Sequence, residues 1–444
     1  MYRLFLSLLF TGALLLSLSS CSDPTGVGDN LGGGSLNQGS PRSVDAVASN
    51  FGTTTIAPQT GFDLSAETAS DRSWQFLAGA VKDPVAGVIE AEGYVDFLGT
   101  QSRPESIQGA PASQLDAELR LVPSYLHGDT LSTIELNLFE LVAETEMHRV
   151  AADTSFLLGS QLSPPNQPGG SYSITPVDSV VTLPLPESWI QDNLTALKAD
   201  SFGTDISGFV LQAATEPTAT DRQVVAGFGL RSATLRLSSS TDTVDFQALK
   251  SFTHVERRGT PEVDIQGRTL LQDGVGTALT MNWNFEESPL DTLRNTPLNR
   301  VDITVPIDSA TMAASLAEAS ESFSRPPANT YRITATRADG AQACRQLGFF
   351  EFRSQSETCR LTTDPGFAPG QARVASQTAF SIFERALFDT PPFTTFQVGI
   401  AVQQSPSPQN SLRRGLPSTV PALVHTTAAD TSALPRAILT VTPL

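Results

Sequence analysis

The stretch Leu115-Asp116-Ala117-Glu118-Leu119-Arg120-Leu121 decides how this chain reads. Apolar residues fall at every second position with Asp, Glu and Arg between them. That period places one row of side chains in a core and the other in water, as in an antiparallel sheet with one wet face. The pattern recurs at Ile134-Glu135-Leu136-Asn137-Leu138, from Thr234 to Leu237, from Val301 to Val305 and from Ala437 to Val441. Between such runs lie turns rich in Pro, Gly, Asp and Ser; the 444 residues include 32 Gly and 30 Pro. Short alternating strands with frequent turns predict a mostly β protein built of sandwiches.

Two segments break the period. Glu187 to Lys198 puts Ile190, Leu194 and Leu197 on one helical face, and Ser309 to Phe323 does the same with Met312, Leu316 and Ala319. Each follows a strand ending in Pro plus an aliphatic residue, Pro184-Leu185 or Pro306-Ile307, and each ends in Ser-Phe. Later strands also correspond: Gly208 to Gln212 with Phe396 to Val402, and Ala233 to Leu237 with Ala437 to Val441. This parallel reads as a diverged internal repeat, with chance similarity as the alternative. The expected organisation is a first β-sandwich over about 51–250 and a second over 260–444, each with one short helix. The second carries an insertion near 324–392. One large β-rich domain is the alternative.

The formal net charge is −18, and Lys82, Lys198 and Lys250 are the lysines, so most positive charge is Arg. An acidic surface repels phosphate backbones and anionic headgroups, which argues against nucleic acid as a partner.

The N-terminus carries an address. Arg3 precedes an apolar run from Leu4 to Leu18, followed by Leu18-Ser19-Ser20-Cys21. A charged start, a short apolar stretch and small residues make a secretory signal over residues 1–20. Cys21 after Leu-Ser-Ser resembles the bacterial lipobox, which implies lipidation of the Cys21 sulfur, cleavage before it and anchoring in the membrane by lipid. One acyl chain anchors marginally and two or more hold stably. Residues 21–50, with Gly32-Gly33-Gly34 and few large apolar side chains, read as a flexible tether. Its root-mean-square span is about 30 Å. The remaining cysteines, Cys344 and Cys359, belong to a chain exported to an oxidising space and are expected to pair. Closing a loop of about 15 residues is worth about 3 kcal/mol. Two free thiols are the alternative.

Further along stand Phe76-Leu77-Ala78-Gly79, Asp83-Pro84-Val85-Ala86-Gly87 and the run Leu119 to Glu140, with Tyr125-Leu126-His127-Gly128-Asp129-Thr130 inside it. Over about 20–145 these segments resemble a family of uncharacterised Bacteroidota envelope lipoproteins, a domain of unknown function. The family's Tyr-x-Gly-Asp-Thr is one residue longer here, with His127 before the Gly. The resemblance implies an envelope lipoprotein and implies no activity; Ser22 and Asp23 after Cys21 are compatible with onward sorting to the outer membrane, the expected location. Residues 115–240 are also similar in rhythm to carbohydrate-binding-type jelly rolls, so the expected fold is two jelly-roll-like β-sandwiches.

Catalytic motifs are sparse. His127, His148, His254 and His425 lie far apart in sequence, and neither a Gly-x-Ser-x-Gly elbow nor a phosphate-binding Gly-rich loop is present. His127-Gly128-Asp129 could supply a base or a metal ligand, and equally a turn between strands. Glu90, Glu92, Tyr94 and Asp96 share one strand face. Carboxylates around an aromatic suit sugar hydroxyls or calcium, and an ordinary solvated face is the alternative. Trp74, Trp189 and Trp283 could stack on sugars or fill cores, Trp74 being the least constrained. Glu286, Glu287 and Asp291 sit in a turn-rich stretch that could hold a structural calcium, without the usual Asp-x-Asp loop. No other cofactor is indicated. The candidate ligand-facing residues are Trp74, Glu90, Glu92, Tyr94 and Asp129. The expected function is a lipid-anchored, non-catalytic module of the cell envelope that binds a glycan or an envelope protein. A structural or assembly subunit of the outer membrane comes next, and an exported carboxylate-dependent glycan hydrolase third.

Overall fold

A computed structural model describes residues 40–55, 62–63, 75–99, 102–142, 158–176, 178–200, 202, 205–326, 328, 330–337, 342–343, 359–362, 371–375, 377–388, 393–400 and 419–442. The protein is mostly β, in two large antiparallel sheets. The alternating segments are strands with one buried row: Asp116–Leu121 buries Ala117, Leu119 and Leu121, and Arg436–Val441 buries Ala437, Leu439 and Val441.

The 14-stranded sheet is made almost wholly from the first half of the chain. Its path runs Val181–Pro184, Asp116–Leu121, Thr234–Ser238, Thr243–Arg258, Gly87–Leu98, Gln75–Asp83, Val224–Gly229, Pro123–Asp129. Phe209–Ala213 links Gly87–Leu98 to Ile134–Leu141, which also pairs with Leu158–Leu162 and Tyr172–Ile174. The sheet packs on a core that includes Phe76, Phe97, Phe209, Phe228 and Phe246. Each such ring contributes about 1.5–3 kcal/mol on burial. Ile190 and Leu197 enter this core and Leu194 packs on it, as the helical pattern predicts. The helix is broken at Asn193 into Glu187–Asp192 and Leu194–Lys198.

The 12-stranded sheet runs Arg42–Val47, Arg436–Val441, Leu298–Pro306, Gln371–Ala375, Cys359–Thr362, Thr330–Arg337, Phe393–Ile400, Thr277–Asn282, Arg268–Gln272, Pro421–His425. Two expectations are corrected by this order. Residues 42–50, read as tether, form the strand Arg42–Val47 and the start of Ser49–Thr55, which pair with Arg436–Val441 and Thr277–Asn282. The buried members, Ala46 and Ala48, are small, so the apolar row is faint. The stretch near 324–392, read as an insertion, supplies inner strands of the sheet and a further helix, Gln377–Phe388. That helix puts Phe383, Ala386 and Leu387 into the second core beside Trp283 and Phe396. Its sheet partners lie far away in sequence, which local periodicity does not register.

The halves meet over a third cluster. Leu77, Val81, Ile89, Ala91, Tyr125 and Val225 of the first half touch Leu270, Phe323, Val420 and Leu423 of the second. Helix Ser309–Ala319, capped by Asp308 accepting from the Thr311 N–H at 3.0 Å, lays Met312, Leu316 and Ala319 on this seam. Strand Phe323–Ser324 crosses it to pair with Pro123–Asp129 at the edge of the first sheet.

Candidate functional site

The seam encloses a chain of polar side chains. Strand Gln75–Asp83 turns through Pro84-Val85-Ala86 into Gly87–Leu98, and Asp83 shapes that turn. Its Oδ1 accepts the backbone N–H groups of Val85 at 2.7 Å and Ala86 at 2.9 Å. Gly87 closes the turn at φ +83°, where a Cβ would press on the carbonyl oxygen of Arg258. The Asp-Pro-x-x-Gly run is thus a turn that presents a carboxylate.

Three groups from elsewhere converge on Asp83. Arg325, from the second half, donates through Nε to Oδ2 at 2.7 Å and through Nη2 to Oδ1 at 3.0 Å. Its Nη1 donates to Met312 O and Ser315 Oγ, both at 3.1 Å, so each of the three nitrogens makes a hydrogen bond. His127 places Nε2 2.9 Å from Asp83 Oδ2 and Nδ1 2.7 Å from Thr419 Oγ1. Tyr125, two residues earlier on the same face of Pro123–Asp129, has its hydroxyl 2.9 Å from Thr419 Oγ1 and accepts the Thr419 N–H at 3.1 Å. One proton arrangement satisfies every group: Tyr125 O–H to Thr419 Oγ1, Thr419 O–H to His127 Nδ1, His127 Nε2–H to Asp83 Oδ2.

Burial alone would push the Asp83 carboxyl up. The hydrogen bond from His127 and the Arg325 guanidinium outweigh it and hold Asp83 well below the usual carboxylate range. Burial pushes the Tyr125 phenol well above its ordinary value.

Carboxylate, imidazole and hydroxyl in series form the relay that activates a nucleophile in hydrolases. Here Asp83, His127 and Thr419 are each 0% exposed. A substrate carbonyl has no approach to a fully buried Thr419 hydroxyl, and Arg325 neutralises the carboxylate that would stabilise an imidazolium. The arrangement is suited to joining the two halves.

His127 and Asp129 do not act together. His127 turns into the seam, while Asp129 accepts the Leu131 N–H at 3.1 Å in an exposed turn. The turn falls at Thr130 and Leu131, two residues beyond the expected Gly128-Asp129, because Gly128 still pairs within the strand at φ +129°, close against Gln223 and Val224. The partners Asp83, Arg325 and Thr419 lie 44 residues from His127, 242 from Asp83 and 292 from His127 respectively.

Glu90, Glu92, Tyr94 and Asp96 share a face as expected, but Tyr94 and Asp96 are buried. Tyr94 packs against Phe252, ring centroids 5.4 Å apart and planes tilted by 46°, within a small cluster with Leu141 and Val210, so this end of the face is covered. Tyr94 Oη donates to Glu92 Oε2 at 2.9 Å and Gln212 Nε2 to Glu92 Oε1 at 2.8 Å. Glu90 stands opposite Glu256 on Thr243–Arg258. Arg258 Nη2 lies 3.3 Å from Glu90 and 2.8 Å from Glu256, and its Nη1 lies 3.8 Å from the mostly exposed Glu216. Partial burial pushes the Glu90 carboxyl up, Arg258 opposes this, and Glu92, Glu256 and Glu216 push it further up. Three carboxylates, Glu90, Glu216 and Glu256, therefore gather around one guanidinium, and Glu92 lies beside Glu90.

Trp189 and Trp283 are core residues. Trp189 donates to Glu140 Oε1 at 3.2 Å, and Trp283 donates to the Ala46 carbonyl at 3.0 Å. Trp74, Cys21 and Cys344 lie outside the described residues; Cys359 begins the strand Cys359–Thr362. Among the described residues no group of three His, Cys, Asp or Glu side chains is arranged to hold a metal ion, Glu286, Glu287 and Asp291 included. No described helix is long and apolar enough to cross a membrane.

No protein-family model matches the chain, and no curated protein matches it. Among solved structures, a protein of Parabacteroides distasonis ATCC 8503 that is inferred to be secreted aligns over 90% of this chain and 99% of its own, at 7% identity and a TM-score of 0.21. A likeness of that size carries no argument about fold or function.

Proposed function

We propose that the protein is a lipid-anchored, non-catalytic binding protein of the cell envelope. In this reading Cys21 carries the lipid, the outer membrane is the anchoring surface, Cys344 and Cys359 pair, and the partner is an envelope glycan or protein. The observation that carries it is the acidic row of Glu90, Glu92, Glu216 and Glu256. These carboxylates are partly held in place by Tyr94, Gln212 and Arg258 and exceed the positive charge beside them. Fixed acceptors of this kind suit a partner rich in hydroxyl or cationic donors. The sealing of the Asp83–His127–Thr419 relay supports a binding role over a hydrolytic one.

The test has two arms. Membrane fractionation of wild type and Cys21→Ala should show the variant released; a variant still bound to membrane would contradict the anchor. Purified protein is then screened against envelope glycans and envelope protein extract, with Glu90→Gln/Glu92→Gln beside wild type. Binding that falls at least tenfold in the variant at unchanged melting temperature is the expected result. Binding equal in both, or no binding by wild type, would contradict the proposed face.

A further inference from the structure

Among the described residues, the seam also holds a buried polar side chain that neither the relay nor Arg325 touches, Gln272. Along Arg268–Gln272, Leu271 enters the core of the second half, whereas Leu270 and Gln272 turn to the seam. Leu270 pairs with Leu423 and Gln272 with Pro421. The Gln272 carboxamide is 1% exposed, and among the described residues neither its Oε1 nor its Nε2 has a hydrogen-bond partner. An amide offers two N–H donors and a carbonyl acceptor, and leaving all of them bare among apolar groups is costly. Native structures contain few such groups, and each calls for a physical cause.

Unused acceptor capacity lies nearby. Thr419 stands two residues before Pro421, and the Asp273 N–H donates to the Val420 carbonyl at 3.2 Å, so the two segments run side by side. In the proton arrangement above, Thr419 Oγ1 and the Tyr125 phenol oxygen each keep one lone pair free. A leucine or methionine at position 272 would suit a dry apolar seam, and a glutamine there points to something polar beside it.

We propose that the seam between the halves binds ordered water at Gln272, in a site of one or two molecules. Water accepts from the Gln272 Nε2–H, donates one hydrogen to Gln272 Oε1 and the other to a free lone pair of Thr419 or Tyr125, and a second water reaches the remaining one. Buried waters make two to four such bonds and occur at about one per 27 residues, so a chain of this size has room for several. The Asp83–His127–Thr419–Tyr125 chain then continues through water to Gln272, and the polar seam extends from one sheet into the other.

The test is a crystal structure of the intact protein at about 1.5 Å, with melting curves of wild type, Gln272→Met and Gln272→Leu. The expected result is spherical density within about 2.7–3.2 Å of the Gln272 amide, with both variants melting about 2 °C lower. An amide with no density in reach overturns the proposal whatever the variants do. Variants that melt higher than wild type also overturn it, since removing an unsatisfied amide stabilises. Density for a larger molecule at Gln272 would overturn the assignment to water. The wild-type crystal alone decides the matter if neither variant folds.

Discussion

Asp83 and Arg325 lie 242 residues apart and meet in a two-pronged ion pair at 2.7 and 3.0 Å, with side chains 0% and 3% exposed. The carboxylate belongs to the first sheet and the guanidinium to the second half, so the pair spans the seam. Breaking one partner of a buried pair typically costs about 3–5 kcal/mol, because the other charge stays buried alone. Asp83→Asn and Arg325→Met should each destabilise by that order in urea denaturation. The double variant Asp83→Asn/Arg325→Met should cost less than the two single effects added together. Full additivity would show that the two groups do not interact as described.

Acid should find the same pair. The Asp83 carboxyl is held below its unfolded value of about 3.9. A depressed folded pKa gives stability that is fully present above the unfolded pKa and is lost as pH falls through the folded one. Wild type should therefore hold constant stability from this group at neutral pH and lose it below about pH 4. Asp83→Asn should lack that part of the slope. Stability curves that run parallel below pH 4 would contradict the depression.

Thr419 is the hinge of the hydroxyl chain. Thr419→Val keeps the shape and leaves His127 Nδ1 without its donor and the Tyr125 O–H without its acceptor, each costing about 1–3 kcal/mol. Thr419→Ser keeps the hydroxyl and removes one methyl, about 0.8 kcal/mol. Equal losses in the two variants, measured by chemical denaturation, would mean that packing rather than the hydroxyl matters at this position.

The N-terminal strands should be needed by the second sheet. Ala46 and Ala48 enter its core, and the Ala46 carbonyl accepts from Trp283 Nε1. Deleting residues 40–55 should shift Trp283 emission to the red and speed hydrogen exchange in Arg436–Val441 and Thr277–Asn282, their pairing partners. Unchanged emission and exchange would return the segment to the tether.

The sequence makes the sheets legible where one face is wet. Asp116–Leu121 and Arg436–Val441 show their alternation because Glu118, Arg120 and Thr440 sit in or near solvent. In Leu298–Pro306 the same alternation hides a different environment, for Asp302 and Thr304 are buried as well. The strand at Arg42–Val47 escapes notice because its buried row is made of small side chains. The polar seam is hardest to read. His127 carries a local cue, since Tyr125 and His127 share a strand face, but Asp83, Arg325 and Thr419 reach it through folding alone. The Glu90–Tyr94 row is visible by period two, whereas the covering of Tyr94 by Phe252 depends on the register of Gly87–Leu98 with Thr243–Arg258.

The two sheets form one unit joined through Asp83, His127, Arg325 and Thr419, with the acidic row mounted on that unit. Differential scanning calorimetry of residues 40–444, compared with a fragment spanning 62–258, tests it most directly. A single transition is expected for the long chain, its calorimetric and van't Hoff enthalpies equal, and a fragment that is unfolded or melts far lower. Two separate transitions, the lower or upper of which coincides with that of the isolated fragment, would contradict it.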